Sequence, residues 1–178
     1  MKHQVVYASD VCRARQYAIA NELGASVKVY GDYQALLDDE SVHAVYIPLP
    51  TTAHLEWVTK AVRCNKHILV EKPVATDAAE FLEMRRMCVD RGLLLMDGTM
   101  YMHHARTEAL LLQIQELMSS GSRIGRVRSS FSFHGDKEFL QSNIRCSATA
   151  DPFGALGDLG KLLFTCQKSL LNMCTQHV

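Results

Sequence analysis

Residues 42–73 read VHAVYIPLPTTAHLEWVTKAVRCNKHILVEKP, and the fold is decided in this run. Ala44-Val45-Tyr46-Ile47 is rich in β-formers and lacks polar alternation, the pattern of a strand buried on both faces of a helix-covered parallel sheet. Prolines donate nothing to a sheet ladder, so Pro48 and Pro50 mark where the chain leaves the sheet. Thr51 and Thr52 then stand as caps for a helix from about His54 to Cys64. A second apolar strand, His67 to Val70, ends in Glu71-Lys72-Pro73. Pro73 disfavours the helical region for Lys72, which is thereby held extended, and a Lys-Pro bond is open to the cis form. Two strands joined by one helix make a β-α-β unit, and such units build parallel sheets.

The same alternation extends outward. Upstream, Val5 to Ala8 reads as a strand, Arg13 to Leu23 as a helix stopped by Gly24, and Val27 to Tyr30 as another strand. Asp32 is placed to cap a short helix through Leu36 and Leu37. Downstream, Asp77 with Glu80 resembles a capping box for a helix to about Asp90. Leu93 to Met96 reads as a buried-type strand and Arg106 to Leu117 as a helix. From Gly125 the pattern changes, with Val127, Ser129, Phe131 and Phe133 alternating as in a half-exposed strand.

The expected fold class is α/β: an incomplete Rossmann-like, doubly wound parallel sheet followed by the start of an α+β substrate domain. A dinucleotide-binding sheet opens with a strand and Gly-x-Gly-x-x-Gly, and this sequence has no such motif. The chain therefore reads as beginning at the second strand. Residues 1–120 are expected to form a partial dinucleotide-binding domain, 121–160 the beginning of the substrate domain, and 161–178 a divergent tail. In such a sheet the loops past the carboxyl ends of the strands line the ligand crevice. Pro48 to His54 and Glu71 to Pro73 are both loops of that kind.

Composition narrows the function classes. Of 178 residues 48% are hydrophobic and 21% charged, enough apolar material for a core. Nineteen basic residues balance nineteen acidic ones, so no global field favours nucleic acid or anionic lipid. Arg85-Arg86 lies in a helical pattern and reads as solvated surface. The six cysteines, Cys12, Cys64, Cys88, Cys146, Cys166 and Cys174, contain no Cys-x-x-Cys pair. They read as reduced thiols in a reducing compartment, with no metal site. No apolar run has the length of a signal segment or membrane span. A cytoplasmic protein without nucleic-acid or membrane partners is expected.

With Glu71-Lys72-Pro73 after a buried strand, and the run Tyr46 to Arg106 including Met96-Asp97-Gly98-Thr99-Met100-Tyr101, the chain resembles the glucose–fructose oxidoreductase and inositol dehydrogenase family. It looks most like the branch containing dihydrodiol dehydrogenase and NADP-dependent xylose dehydrogenase, over roughly residues 5–160. The resemblance implies an NAD(P)-dependent dehydrogenase that moves a hydride between the nicotinamide and a CH–OH carbon of a sugar or cyclic diol. Its cofactor would be NADP or NAD, with NADP favoured by the branch. The intact family also implies homo-oligomers.

By the same resemblance, Pro48, Leu49, Pro50, Thr51 and His54 would lie along the nicotinamide ribose, with Glu71 near it. Lys72 would face both the nicotinamide and the substrate hydroxyl, as base or as donor. Tyr101 falls where relatives line the substrate pocket, and also reads as a core aromatic. Asp158 matches the Asp that begins the second catalytic motif, and also reads as a helix cap. Ser9 matches the Ser of the Ser-Arg pair that holds the 2′-phosphate in NADP-using members, but Asp10 replaces the Arg. Four positions after Asp158 the family has His or Tyr, and this chain has Leu162, which leaves an acid–base relay incomplete. The alternative is a non-catalytic fragment that binds an intact relative.

Overall fold

The computed structural model describes residues 7–8, 28–122 and 152–153. Strands β1 (Tyr7–Ala8) and β2 (Val29–Tyr30) pair in parallel, followed by helix α1 (Tyr33–Asp38). The Asp32 carboxylate accepts the Ala35 N–H at 2.8 Å, so the expected cap forms. The second sheet holds β3 (Ala44–Ile47), β4 (His67–Val70) and β5 (Leu95–Asp97), all parallel and in sequence order. Helix α2 (His54–Arg63) joins β3 to β4, and α3 (Ala78–Asp90) joins β4 to β5. Helix α4 (Ala105–Ser119) follows β5.

Local chemistry sets the helix boundaries. The Asp77 carboxylate accepts the Glu80 N–H at 2.8 Å, and the Glu80 carboxylate reaches back to the Thr76 N–H at 2.9 Å. At its other end α3 closes on Gly92, at φ +65°, with the Leu93 N–H donating to Cys88 O at 2.8 Å. Only a residue tolerant of the left-handed region can turn the chain there.

The start of α2 differs from expectation. Neither Thr51 nor Thr52 caps it. Thr51–Ala53 instead form a 3₁₀ turn in which the Ala53 N–H donates to Pro50 O and the His54 N–H to Thr51 O. Backbone carbonyls thus satisfy the amides that threonine hydroxyls would have taken.

Helices α2 and α3 pack against one another and cover one face of the second sheet. The core between them contains Ile47, Val58, Val62, Ile68, Val70, Met84 and Cys88. Val58, Val70 and Met84 are wholly buried, each contributing about 1.5–3 kcal/mol relative to exposure. The expectation that β3 and β5 are buried on both faces is corrected here. Both crossover helices lie on one side, so alternate residues face away from the core: Tyr46 is 54% and Met96 36% exposed. Expectations for Arg13–Leu23 and for 123–151 and 154–178 fall outside the described residues.

Candidate functional site

The register Ile47–Val70–Asp97 aligns the carboxyl ends of three neighbouring strands. The next residue of each is therefore Pro48, Glu71 and Gly98, set in one row. Two ladder-like bonds extend the sheet into that row: Glu71 N–H donates to Ile47 O at 3.1 Å, and Gly98 N–H to Val70 O at 2.7 Å. Past the row run Leu49 to Thr51, Lys72 to Val74, and Thr99 to the 3₁₀ turn Met100–His103. The Lys72–Pro73 bond is cis.

The Glu71 carboxylate is held from two sides. Its Oε1 accepts the Tyr46 hydroxyl at 2.5 Å, and its Oε2 accepts the Lys72 backbone N–H at 3.1 Å. Partial burial of the hydroxyl, and then its bond to this carboxylate, push the Tyr46 phenol up to about 12. A folded value above the ordinary phenol value of about 10 favours the neutral form. The resulting stabilisation is complete below the ordinary value and is lost as pH rises through about 12. An ultraviolet pH titration is expected to show a late-ionising tyrosine component that Tyr46→Phe loses. Glu71→Gln is expected to bring that ionisation to lower pH, and an unchanged midpoint would show that the carboxylate has no hold on the phenol.

His54 sits where the first and second loops meet. It is 1% exposed, with Nε2 2.8 Å from Leu49 O and Nδ1 2.9 Å from Val74 O. Both ring nitrogens face backbone carbonyls, the ring N–H donating to one of them, and the ring stands between the loop after β3 and the loop after β4. Thr51 is also buried. The side chains that the first loop leaves at least partly exposed are those of Pro48, Leu49, Pro50 and Thr52.

Glu71 and Lys72 are half-buried at the end of β4. Tyr101 is half-buried in the 3₁₀ turn, its carbonyl accepting the Thr107 hydroxyl at 2.6 Å. The strand register therefore collects Pro48–Thr51, Glu71–Lys72 and the segment leading to Tyr101 at one end of the sheet. Ser9 and Asp158 lie outside the described residues. Sequence reasoning gave no role to Tyr46 or Gly98, whose contacts with Glu71 depend on strand pairing. Among the described residues no cluster of His, Cys, Asp and Glu could hold a metal ion, and no helix is long and apolar enough to cross a membrane.

Residues 1–99 match the family model described as an oxidoreductase family with an NAD-binding Rossmann fold, GFO_IDH_MocA. Over 133 residues the chain is 39% identical to D-xylose 1-dehydrogenase (NADP(+)) 2 of Haloferax volcanii, covering 74% of this chain and 39% of that protein. Over 128 residues it is 38% identical to the dTDP-3,4-didehydro-2,6-dideoxy-alpha-D-glucose 3-reductase of Actinomadura kijaniata, covering 72% of this chain and 37% of that protein. The 3-ketoreductase KijD10 from Actinomadura kijaniata, in an open conformation with TDP-benzene and NADP, is similar in structure. The TM-score is 0.60 at 33% identity, covering 82% of this chain and 46% of that one. The chain spans less than half the length of each of these relatives.

Proposed function

Because the chain belongs to the oxidoreductase family with an NAD-binding Rossmann fold, we propose that its crevice takes NADP or NAD and that the protein acts on a CH–OH group of a sugar or cyclic diol. The observation that carries this reading is the row Pro48, Glu71, Gly98 past three register-matched parallel strands, with Lys72 beside it. Ligands of open parallel sheets bind at that edge.

The residues present fit a nicotinamide nucleoside. Pro48, Leu49 and Pro50 offer apolar surface for the ribose side, and Glu71 offers a carboxylate already held in place. Beside Gly98, the Thr99 hydroxyl is buried without a hydrogen-bond partner among the described residues. The cofactor, when bound, supplies the hydride donor or acceptor. Lys72 meets the substrate oxygen. As an ammonium it donates to the oxygen on which negative charge develops, and as an amine it takes the hydroxyl proton. Thr51 and His54 support the first loop from within. Tyr101 borders the substrate, Ser9 the adenosine end of the cofactor, and Asp158 the reacting oxygen.

Titrating the ¹⁵N-labelled chain with reduced NADP tests where the cofactor lies. Binding is expected to be weak, because the sequence has no Gly-x-Gly-x-x-Gly loop to hold the pyrophosphate. Amide shifts are expected at 48–51, 71–73 and 98–101. Shifts confined to α2 and α3 would overturn the assignment of the crevice.

A further inference from the structure

We propose that Tyr46 and Gly98 are positioning residues that aim Lys72 by locking the Glu71 carboxylate, an inference that rests on the role given to Lys72 above. Along β4, Ile68 and Val70 face the helices, so Leu69 and Glu71 face the other way. Tyr46 pairs with Leu69 in the register, which makes Glu71 its diagonal neighbour on that outer face. Diagonal pairs on a sheet lie within reach of aromatic and long side chains. Gly98 flanks Glu71 from the other strand, because Val70 pairs with Asp97.

A glutamate has three rotatable side-chain bonds, so one contact would leave its carboxylate loose. Here three contacts act together. The Tyr46 hydroxyl holds Oε1 at 2.5 Å, and the Lys72 N–H holds Oε2 at 3.1 Å. The third contact is the close approach of Gly98. A Cβ on residue 98 would stand 3.2 Å from Glu71 Cδ and Oε1 and 3.3 Å from Glu71 Cα. The side chain can swing away from a methyl group, but the Cα has little freedom to do so. Gly98 N–H is committed to Val70 O, which ties its backbone to the strand that carries Glu71, and Glu71 N–H is committed to Ile47 O on that strand's other side. A side chain at 98 would therefore push Glu71 by a few tenths of an ångström, and glycine leaves the carboxylate where it stands.

The consequence falls on Lys72. Its N–H is tied to the carboxylate, and Pro73 restricts its own backbone to extended conformations. With both sides of its peptide set, the direction in which the Lys72 side chain leaves the sheet is set as well. Neither Tyr46 nor Gly98 meets the reacting atoms in this scheme, since both act through Glu71.

The test follows the Lys72 amide resonance of the ¹⁵N-labelled chain across the pH range in which its carboxylates ionise. In the native chain the Lys72 amide proton is expected to move downfield as Glu71 ionises, because an N–H bound to a carboxylate strengthens its bond when the charge appears. Gly98→Ala is expected to lose most of this movement, and Tyr46→Phe to lose part of it, with the Ile68 and Val70 amides unchanged. Should Gly98→Ala fail to fold, Tyr46→Phe alone decides. A Lys72 amide that ignores carboxylate ionisation in the native chain, or that titrates as in the native chain in every variant that folds, would overturn the proposal. This readout needs no turnover. Its failure therefore removes the positioning role alone, whereas failure of the proposed function is read from the turnover of Lys72 variants.

Discussion

Lys72→Ala is expected to lower turnover by roughly a hundredfold or more, the scale for losing one general acid–base or charge-stabilising group. The measurement uses the chain joined in frame to the flanking segments of the Actinomadura kijaniata 3-ketoreductase, which it matches over 72% of its own length. Reduced-cofactor absorbance is followed against a panel of sugars and cyclic diols. The size of the effect follows from place: Lys72 is the amine at the end of the central strand of the three, one residue past the row Pro48, Glu71, Gly98. Lys72→Arg separates its two roles. A guanidinium stays charged and still donates, but it is planar and cannot take up a proton at neutral pH. Recovery of most of the turnover by Arg would assign Lys72 to charge stabilisation, and little recovery would assign it to proton transfer. If Lys72→Ala turned over as fast as its parent, the proposed role of Lys72 would be wrong.

His54→Leu is expected to destabilise the chain by about 1–3 kcal/mol, although leucine retains most of the apolar volume. The ring lies between Leu49 O and Val74 O at 2.8 and 2.9 Å in a site only 1% exposed to solvent. Leucine would remove the ring N–H and leave the carbonyl it serves, Leu49 O or Val74 O, without its donor, and an unmet acceptor costs more than a hydrogen bond contributes. Urea unfolding followed by circular dichroism gives the difference. A loss below about 1 kcal/mol would mean that water replaces the ring N–H without cost. Because Leu49 and Val74 belong to two different crevice loops, the same substitution is expected to broaden the amide resonances of 48–51 and 72–74 before global unfolding.

Much of the fold was legible in the chain itself. A short apolar run and helical patterning located β4 to the residue and α3 to its cap, and Asp32, Asp77 and Glu80 act as their side-chain chemistry requires. The prolines marked where β3 leaves the sheet. Patterning misjudged burial instead. The run Ala44-Val45-Tyr46-Ile47 is apolar throughout, and no local feature tells whether one face or two will be covered. That depends on where the crossover helices lie, which is a property of the whole sheet. The threonine caps failed for a related reason: the carbonyls of Pro50 and Thr51 came within reach of the same amides once the chain tightened into a 3₁₀ turn.

The candidate site divides along the same line. Glu71, Lys72 and Pro73 could be singled out in sequence because they are adjacent, and their constraints on one another are local: a proline restricts the residue before it wherever it stands. The parallel α/β class was likewise set by local periodicity, since strands and helices that alternate in sequence have few ways to pack. What holds the site was decided only in three dimensions. Tyr46 and Glu71 are separated by 25 positions, and His54 and Val74 by 20. Gly98 meets Glu71 only because β5 pairs with β4 in one register. Pairing register is an outcome of which faces bury their apolar residues, and a slip of one residue would turn Glu71 and Tyr46 to the other face. Residue identity therefore placed the chemistry at the strand ends, and packing chose the partners that orient it.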